Sequence, residues 1–176
     1  MDIKIVLSNK DTAYIIKNLY PLYLHDLSEF ADWKDQVPNA HGILEPDNPD
    51  VRTLVEQGEV FNIWWEKPDV LFPFLIRVDG KPAGFAFIAT PPYSAGGDYL
   101  VNEFFLLRPY RGKGIGEQAA VEIFDKFHGQ WELMVMPKNL RAVVFWRKTL
   151  AKLSGQFQEV TDDGGVVFRF NNRRDH

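Results

Sequence analysis

Residues 98–129, "DYLVNEFFLLRPYRGKGIGEQAAVEIFDKFHG", read as a strand, a glycine-rich turn and a helix with no spacer between them. The apolar run up to Leu107 is strand-like. From Ile115 onward the apolar positions 115, 119, 120, 123, 124 and 127 follow helical spacing, and Gly129 supplies a stop. A strand that passes directly into a helix turns that helix back onto a sheet, so this part of the chain is mixed α and β. The same junction makes an anion site. The first N–H groups of a helix lack acceptors, and its dipole is positive at that end. Glycines let the backbone approach a ligand closely.

Which phosphate such a loop takes depends on its spacing. A nucleotide P-loop needs Ser or Thr after its lysine, and here Gly114 follows Lys113. A dinucleotide fingerprint needs Gly-x-Gly-x-x-Gly. With glycines at 112, 114 and 116 the third comes one residue early, and position 117 is Glu. A tight turn that serves only helix–sheet packing stays open as the plainer reading.

The rest of the chain supports a mixed fold. "IKIVL" (3–7) is a short strand, followed by a helix that Ser8 or Asn9 caps and that Pro21 kinks or breaks. Residues 30–50 hold three prolines and no period, which predicts a long loop. "PDVRTLVEQG" predicts a short helix with Leu54 and Val55 on one face and Gly58 at its end. "VLFPFLIRV" and "AGFAFIAT" flank Asp79-Gly80, a hairpin signal. After the glycine helix come the strand "QWELMVM", a helix opened by Asn139, and two strands around "TDDGG". The predicted order is β α α β β β α β α β β, in one domain over 1–176.

Composition removes whole classes of function. There is no cysteine, hence no disulfide, thiolate metal site or cysteine nucleophile, which fits a reducing cytosol. No signal peptide and no membrane-length apolar run are visible, so the chain is expected to be soluble and cytoplasmic. His25, His41 and His128 show no metal-ligand spacing, so no metal is expected. No broad basic stripe with interleaved aromatics speaks for nucleic acid. The charge of −4 is uneven. Residues 26–66 carry ten acids and two bases, with Trp33, Trp64 and Trp65 among them; Lys138 to Lys152 carries five bases and no acid. Either these are two solvated faces, or a cationic substrate meets one and an anionic cofactor the other.

Arg111-Gly112-Lys113-Gly114-Ile115-Gly116 matches Arg-x-x-Gly-x-Gly, and "PKNLRAVVFWRKTL" supplies an Asn-x-x-Ala helix start with Asn139 and Ala142. Together, and in this order, they resemble the GNAT superfamily of N-acetyltransferases over about residues 70–170. The resemblance implies an α+β fold: a mostly antiparallel sheet with a central, splayed parallel strand pair and helices on both faces. Residues 1–69 fall where the family places its acceptor-binding elements. It further implies acetyl-CoA as cosubstrate. Its pyrophosphate would lie on Arg111, Gly112, Lys113, Gly114, Ile115 and Gly116. Its pantetheine arm would lie in the strand gap along Phe105, Leu106 and Leu107. Asn139, Ala142 and Trp146 would complete the cofactor side, with Asn139 equally readable as a helix cap.

Acetyl transfer to a primary amine needs a neutral amine, a stabilised oxyanion and a protonated leaving thiolate. At a pKa of about 10.4, freeing the amine at neutral pH costs roughly 4–5 kcal/mol. Glu103, inside "LVNEFFLL", is the candidate general base, acting through water; its plainer reading is a rim glutamate. Strand alternation places Glu103 with Val101 and Phe105, and Asn102 with Phe104. The oxyanion donor is expected to be a backbone N–H near Leu106. Many family members carry a Tyr where this chain has Trp146, and an indole is no useful proton source. Tyr110 and Tyr93 are weak substitutes. That departure keeps a second function open, a non-catalytic acyl-CoA-binding or regulatory module. The acceptor is expected to be a cationic small molecule or a lysyl or amino-terminal group. The exposed C-terminal strands leave pairing into a homodimer open.

Overall fold

The computed structural model describes residues 1–32, 36–45, 48–94 and 96–173, with the backbone alone at Asp162. Trp33, Asp35 and Asp47 of the acidic segment lie outside the described residues.

Seven strands form one sheet: β1 (Ile3–Leu7), β2 (Leu71–Val78), β3 (Lys81–Ala89), β4 (Tyr99–Leu106), β5 (Gln130–Val135), β6 (Gln158–Asp162) and β7 (Gly165–Asn171). Their order across the sheet is β1-β2-β3-β4-β5-β7-β6. All neighbours are antiparallel except β4 and β5, which run parallel and pair only from Tyr99↔Trp131 to Val101↔Leu133. Beyond Val101 the two strands part, which gives the splayed central pair. The β2–β3 hairpin turns on Asp79 and Gly80, both at positive φ (48° and 77°), as a two-residue turn requires.

Among the described residues five helices cover the sheet: α1 (Ala13–Ser28), α2 (Leu54–Glu59), α3 (Ile63–Glu66), α4 (Ile115–Phe124) and α5 (Leu140–Leu153). One apolar cluster joins α4 and α5 to the sheet through Ile115, Ile123, Phe124, Trp131, Trp146 and Phe168. A second joins α1 and the α2–α3 region to the other face through Ile16, Phe61, Trp65, Phe85, Phe87 and Phe105. Helices therefore lie on both faces.

Several local expectations are corrected. Helix α1 runs through Pro21 without a break. Its lead-in is tied by Asn9, whose Oδ1 accepts from the N–H groups of Asp11 and Thr12. In α2 the buried residues are Gln57 and Gly58, while Leu54 and Val55 face solvent. The predicted face is thus reversed; Gly58 faces the Lys17 side chain of α1, where an added Cβ would come within 3.2 Å of it. The short helix α3, with buried Trp64 and Trp65, adds an element that the periodicity did not reveal. Helix α4 ends at Phe124, and Phe127 packs on the core from the turn beyond it.

Candidate active site

The site begins with an irregularity in β4. Phe87 pairs with Glu103 but Ile88 pairs with Val101, so Asn102 is an extra residue, a β-bulge. A bulge reverses the alternation that follows it. Val101, Phe104 and Leu106 pack with the α4–α5 cluster, and Phe105 packs with the α1 cluster. Glu103 faces the α1 side with Phe105, and the expected grouping of Glu103 with Val101 is overturned.

On that side Glu103 is held by α1. Its Oε1 accepts a hydrogen bond from the Tyr20 hydroxyl at 3.2 Å. Its Oε2 is buried and has no hydrogen-bond partner among the described residues. Burial, moderated by the Tyr20 bond and reinforced by the nearby Glu45 charge, pushes the carboxyl up to about 8. The surroundings are aromatic. Tyr20 lies 4.2 Å from Phe61 and 5.7 Å from Tyr23 between ring centroids. Burial, then Glu103, then Tyr20 hold the Tyr23 hydroxyl well above its ordinary value.

The backbone of β4 serves the gap. The Leu107 N–H is spent on the Ala83 carbonyl of β3 at 2.8 Å. By strand alternation the Leu106 N–H and carbonyl point the other way, toward the opening beside β5. The Leu106 carbonyl accepts from Arg111 Nε at 2.7 Å. Leu107 is half-buried on the α1 face, and the Phe105 ring lies 5.6 Å under the Arg111 guanidinium.

The glycine loop follows a 3₁₀ turn at Arg108–Tyr110. Gly112 and Gly114 sit at φ 72° and 79°, with open space where a side chain would project. The first α4 bond runs from Gln118 N–H to the Gly114 carbonyl, so the preceding N–H groups have no acceptor within the helix. Gly116 has a different role: a Cβ there would come within 3.2 Å of Leu106 and Phe145, so it sets helix–sheet distance. Ile115 anchors the helix start in the core. Lys113 folds back onto the Pro109 carbonyl at 2.7 Å. An open, left-handed backbone cradle at a helix start fits a pyrophosphate.

On the β5 side, Asn139 caps α5 by accepting from the Ala142 N–H at 3.1 Å. Ala142 rests partly buried on the core. Trp146 is a core residue, 6% exposed, edge-on to Phe104 at 5.1 Å and to Phe145 at 4.8 Å. Tyr93 is exposed and Tyr110 packs on the core. Among the described residues no group of His, Asp and Glu could hold a metal, and no helix is long and apolar enough to cross a membrane.

The opposed charges of the sequence meet in the fold. Asp26, in the last turn of α1, takes both Arg108 and Arg111. Burial pushes its carboxyl up, but the bonds and charges of the two arginines outweigh that and leave it below the usual range. Glu29 pairs with Arg141 at 3.2 Å and Asp32 with Lys138 at 3.4 Å. Residues 26–32 thus tie the turn after β4 to the segment after β5. The reading of two separate poles of charge does not hold for these acids. Beside this segment a cleft of about 300 Å³ is lined by Leu22, His25, Asp26, Phe105 and Arg108.

The sequence reading missed Tyr20, Tyr23, Glu45 and Gln57. Tyr20 and Tyr23 carry a signal, since their spacing of three puts them on one helix face. Glu45 and Gln57 carry none, because only the packing of the loop against α2 brings them in.

The acetyltransferase (GNAT) family model matches residues 37–151. The chain belongs to that family. Solved structures of GNAT fold agree over nearly the whole chain. The PaiA N-acetyltransferase of Thermoplasma acidophilum, in complex with coenzyme A, superimposes with a TM-score of 0.67 at 11% identity, covering 97% of this chain and 99% of that one. The aminoglycoside acetyltransferase AAC(6')-Ib, in complex with coenzyme A, gives 0.59 at 16%, covering 97% and 95%. The ribosomal-protein-S5-alanine acetyltransferase of Vibrio fischeri gives 0.60 at 19%, covering 98% and 94%. At these identities the likeness is one of fold. No protein of curated function matches this GNAT chain in sequence.

Proposed function

We propose that the chain transfers an acetyl group from acetyl-CoA to a primary amine of a cationic acceptor, with Glu103 as general base. The observation that carries this reading is Glu103 itself, an ionisable group buried two residues past the point where β4 and β5 part. The family membership and the CoA-bound neighbours support the cosubstrate. Acetyl-CoA would bring the thioester carbonyl. The open backbone at Gly112 and Gly114 and the first N–H groups of α4 would hold its pyrophosphate, and the outward Leu106 N–H would face its arm or its carbonyl oxygen.

The acceptor approaches from the α1 face, where Glu103 lies. At pH 7 a carboxyl of pKa about 8 is roughly one-tenth ionised, and an arriving ammonium favours the ionised form. Glu103 accepts one proton from the ammonium, directly or through water. The neutral nitrogen bonds to the carbonyl carbon, the carbon–sulfur bond breaks, and the nitrogen gives up its second proton. The thiolate takes up one proton, so the amide, the free thiol and one proton leave. Trp146 is packed in the core and its indole is no useful proton source, so water supplies the thiolate.

Thiol release measured across a panel of amines tests this reading, with Glu103→Gln as control. Turnover that survives Glu103→Gln undiminished overturns the role of Glu103. The absence of a tyrosine at position 146 favours a second reading, an acyl-CoA-binding module without turnover. CoA binding by calorimetry with no thiol release on any amine would establish that instead.

A further inference from the structure

Two buried acceptors on the α1 side of the sheet lack donors. Glu103 Oε2 and Gln57 Oε1 are both buried, and neither has a hydrogen-bond partner among the described residues. Gln57 is 1% exposed, and its Nε2 donates to the Leu44 carbonyl at 2.6 Å and to Glu45 Oε2 at 3.1 Å. The planar amide therefore fixes the Glu45 carboxylate while keeping its own oxygen uncommitted. A buried amide oxygen without a donor is costly, so a donor-rich ligand is what this lining lacks.

Glu45 is not a swinging surface acid. Asn39 pins its loop, accepting from the N–H groups of His41 and Ile43 and donating to the carbonyls of Pro49 and Val51. Ile43 and Val51 are buried anchors on either side. Asp26, Glu29 and Asp32 each have a cationic partner, whereas Glu45 has none among the described residues. Its charge reaches Glu103, whose carboxyl is bonded to Tyr20 of α1. Helix α2, which carries Gln57, lies along α1 through the Gly58–Lys17 contact. One turn further, Phe61 packs on Tyr20 at 4.2 Å between ring centroids, and Tyr20 is the partner of Glu103, so α2 and the Glu103 carboxyl share one neighbourhood.

We propose that Glu45, positioned by Gln57, is the specificity residue of the acceptor site and holds a second ammonium group of the acceptor while Glu103 serves the amine that reacts. This rests on the acetyl-transfer reading above. An ammonium is a three-donor cation, and it answers the unpaired carboxylate and the uncommitted amide oxygen together. One carboxyl takes the reacting proton; the other, never consumed, fixes the distance between reacting and non-reacting nitrogens. Such a site discriminates against an acceptor with one amine by leaving its own buried acceptors unanswered.

The test compares 1,4-diaminobutane with butylamine at saturating acetyl-CoA. The expected result is a kcat/KM at least about tenfold higher for the diamine. Glu45→Gln should remove about tenfold of the diamine-over-butylamine preference, mainly through the KM of the diamine. Glu45→Asp keeps the charge but withdraws it by one methylene, and should move the preference toward 1,5-diaminopentane. Equal losses for both amines in Glu45→Gln, or no loss, overturn the proposal, as does an unchanged chain-length preference in Glu45→Asp. Calorimetry of 1,4-diaminobutane in the presence of CoA separates this from the function itself. Glu45-dependent binding without turnover keeps the proposal and rejects acetyl transfer. Turnover without a diamine preference rejects the proposal and keeps acetyl transfer.

Discussion

The two faces of the sheet solve different problems. The α4–α5 face is filled with rings and aliphatic chains, with the Thr149 hydroxyl also buried and without a partner among the described residues, and the proposed ligand seat at its end is made of backbone: glycines, a helix start and a cap. The α1–α3 face carries an equally aromatic core, but Glu103 and Gln57 are sunk into it with polar atoms unanswered. A seat made of backbone gains stability from the fold that builds it. A seat made of buried side chains is held against a desolvation cost.

That contrast breaks most sharply at Glu103. Glu103→Gln is expected to lower kcat/KM by about 10²–10⁴-fold. The same change should raise stability, and the sign follows from proton counts. In the unfolded chain Glu103 ionises near the ordinary glutamate value, but in the folded chain only at about 8. Between those values the folded state holds a proton that the unfolded state has lost. Stability therefore falls as pH climbs through that window. The gain from Glu103→Gln should be absent at pH 4 and fully present above pH 8, on the order of 5 kcal/mol, read by thermal melts across pH. A loss of stability at pH 9 would erase the distinction between the faces.

On the other face Trp146→Ala should cost about 3–5 kcal/mol in denaturant unfolding, as expected for a large ring removed from a packed core. If stability holds while CoA affinity collapses, Trp146 belongs to the site and not to the core. Gly114→Glu should weaken CoA binding by at least about a hundredfold. It forces a side chain into a left-handed position, and it places a like charge where phosphate would sit. Its melting temperature should fall by only a few degrees, since the added chain meets open space and the left-handed backbone alone costs about 1–3 kcal/mol. The smallest effect is expected from Tyr20→Phe. Losing the bond that lowers Glu103 raises its pKa further, so the alkaline rise of kcat/KM should shift to higher pH.

Legibility followed the same division. The order of strands, the hairpin at Asp79-Gly80, the Asn139 cap and the glycine turn are local signals, and each is found where spacing places it. The acceptor side depends on events that spacing does not encode. One extra residue at Asn102 reverses the alternation across it, so Glu103 lies with Phe105 as expected but not with Val101. Helix α2 buries Gln57 and Gly58 instead of its apolar pair, and the side chain that Gly58 faces, Lys17, lies about forty positions away in the sequence. The charge runs were legible as composition, but their pairing across the fold was not, since it joins residues about a hundred positions apart.

That pairing has a consequence for how the molecule meets different solutions. Residues 26–32 are laced to both sides of the strand opening by charges that are mostly exposed. Such pairs fade as the Debye length shrinks from about 10 Å at 0.1 M salt to about 3 Å at 1 M. A polyanionic ligand is also held less tightly as salt rises, but here added ions unlace the segment that competes for Arg111. The two trends oppose one another, and the affinity for such a ligand should be flatter in ionic strength than its phosphates alone would dictate.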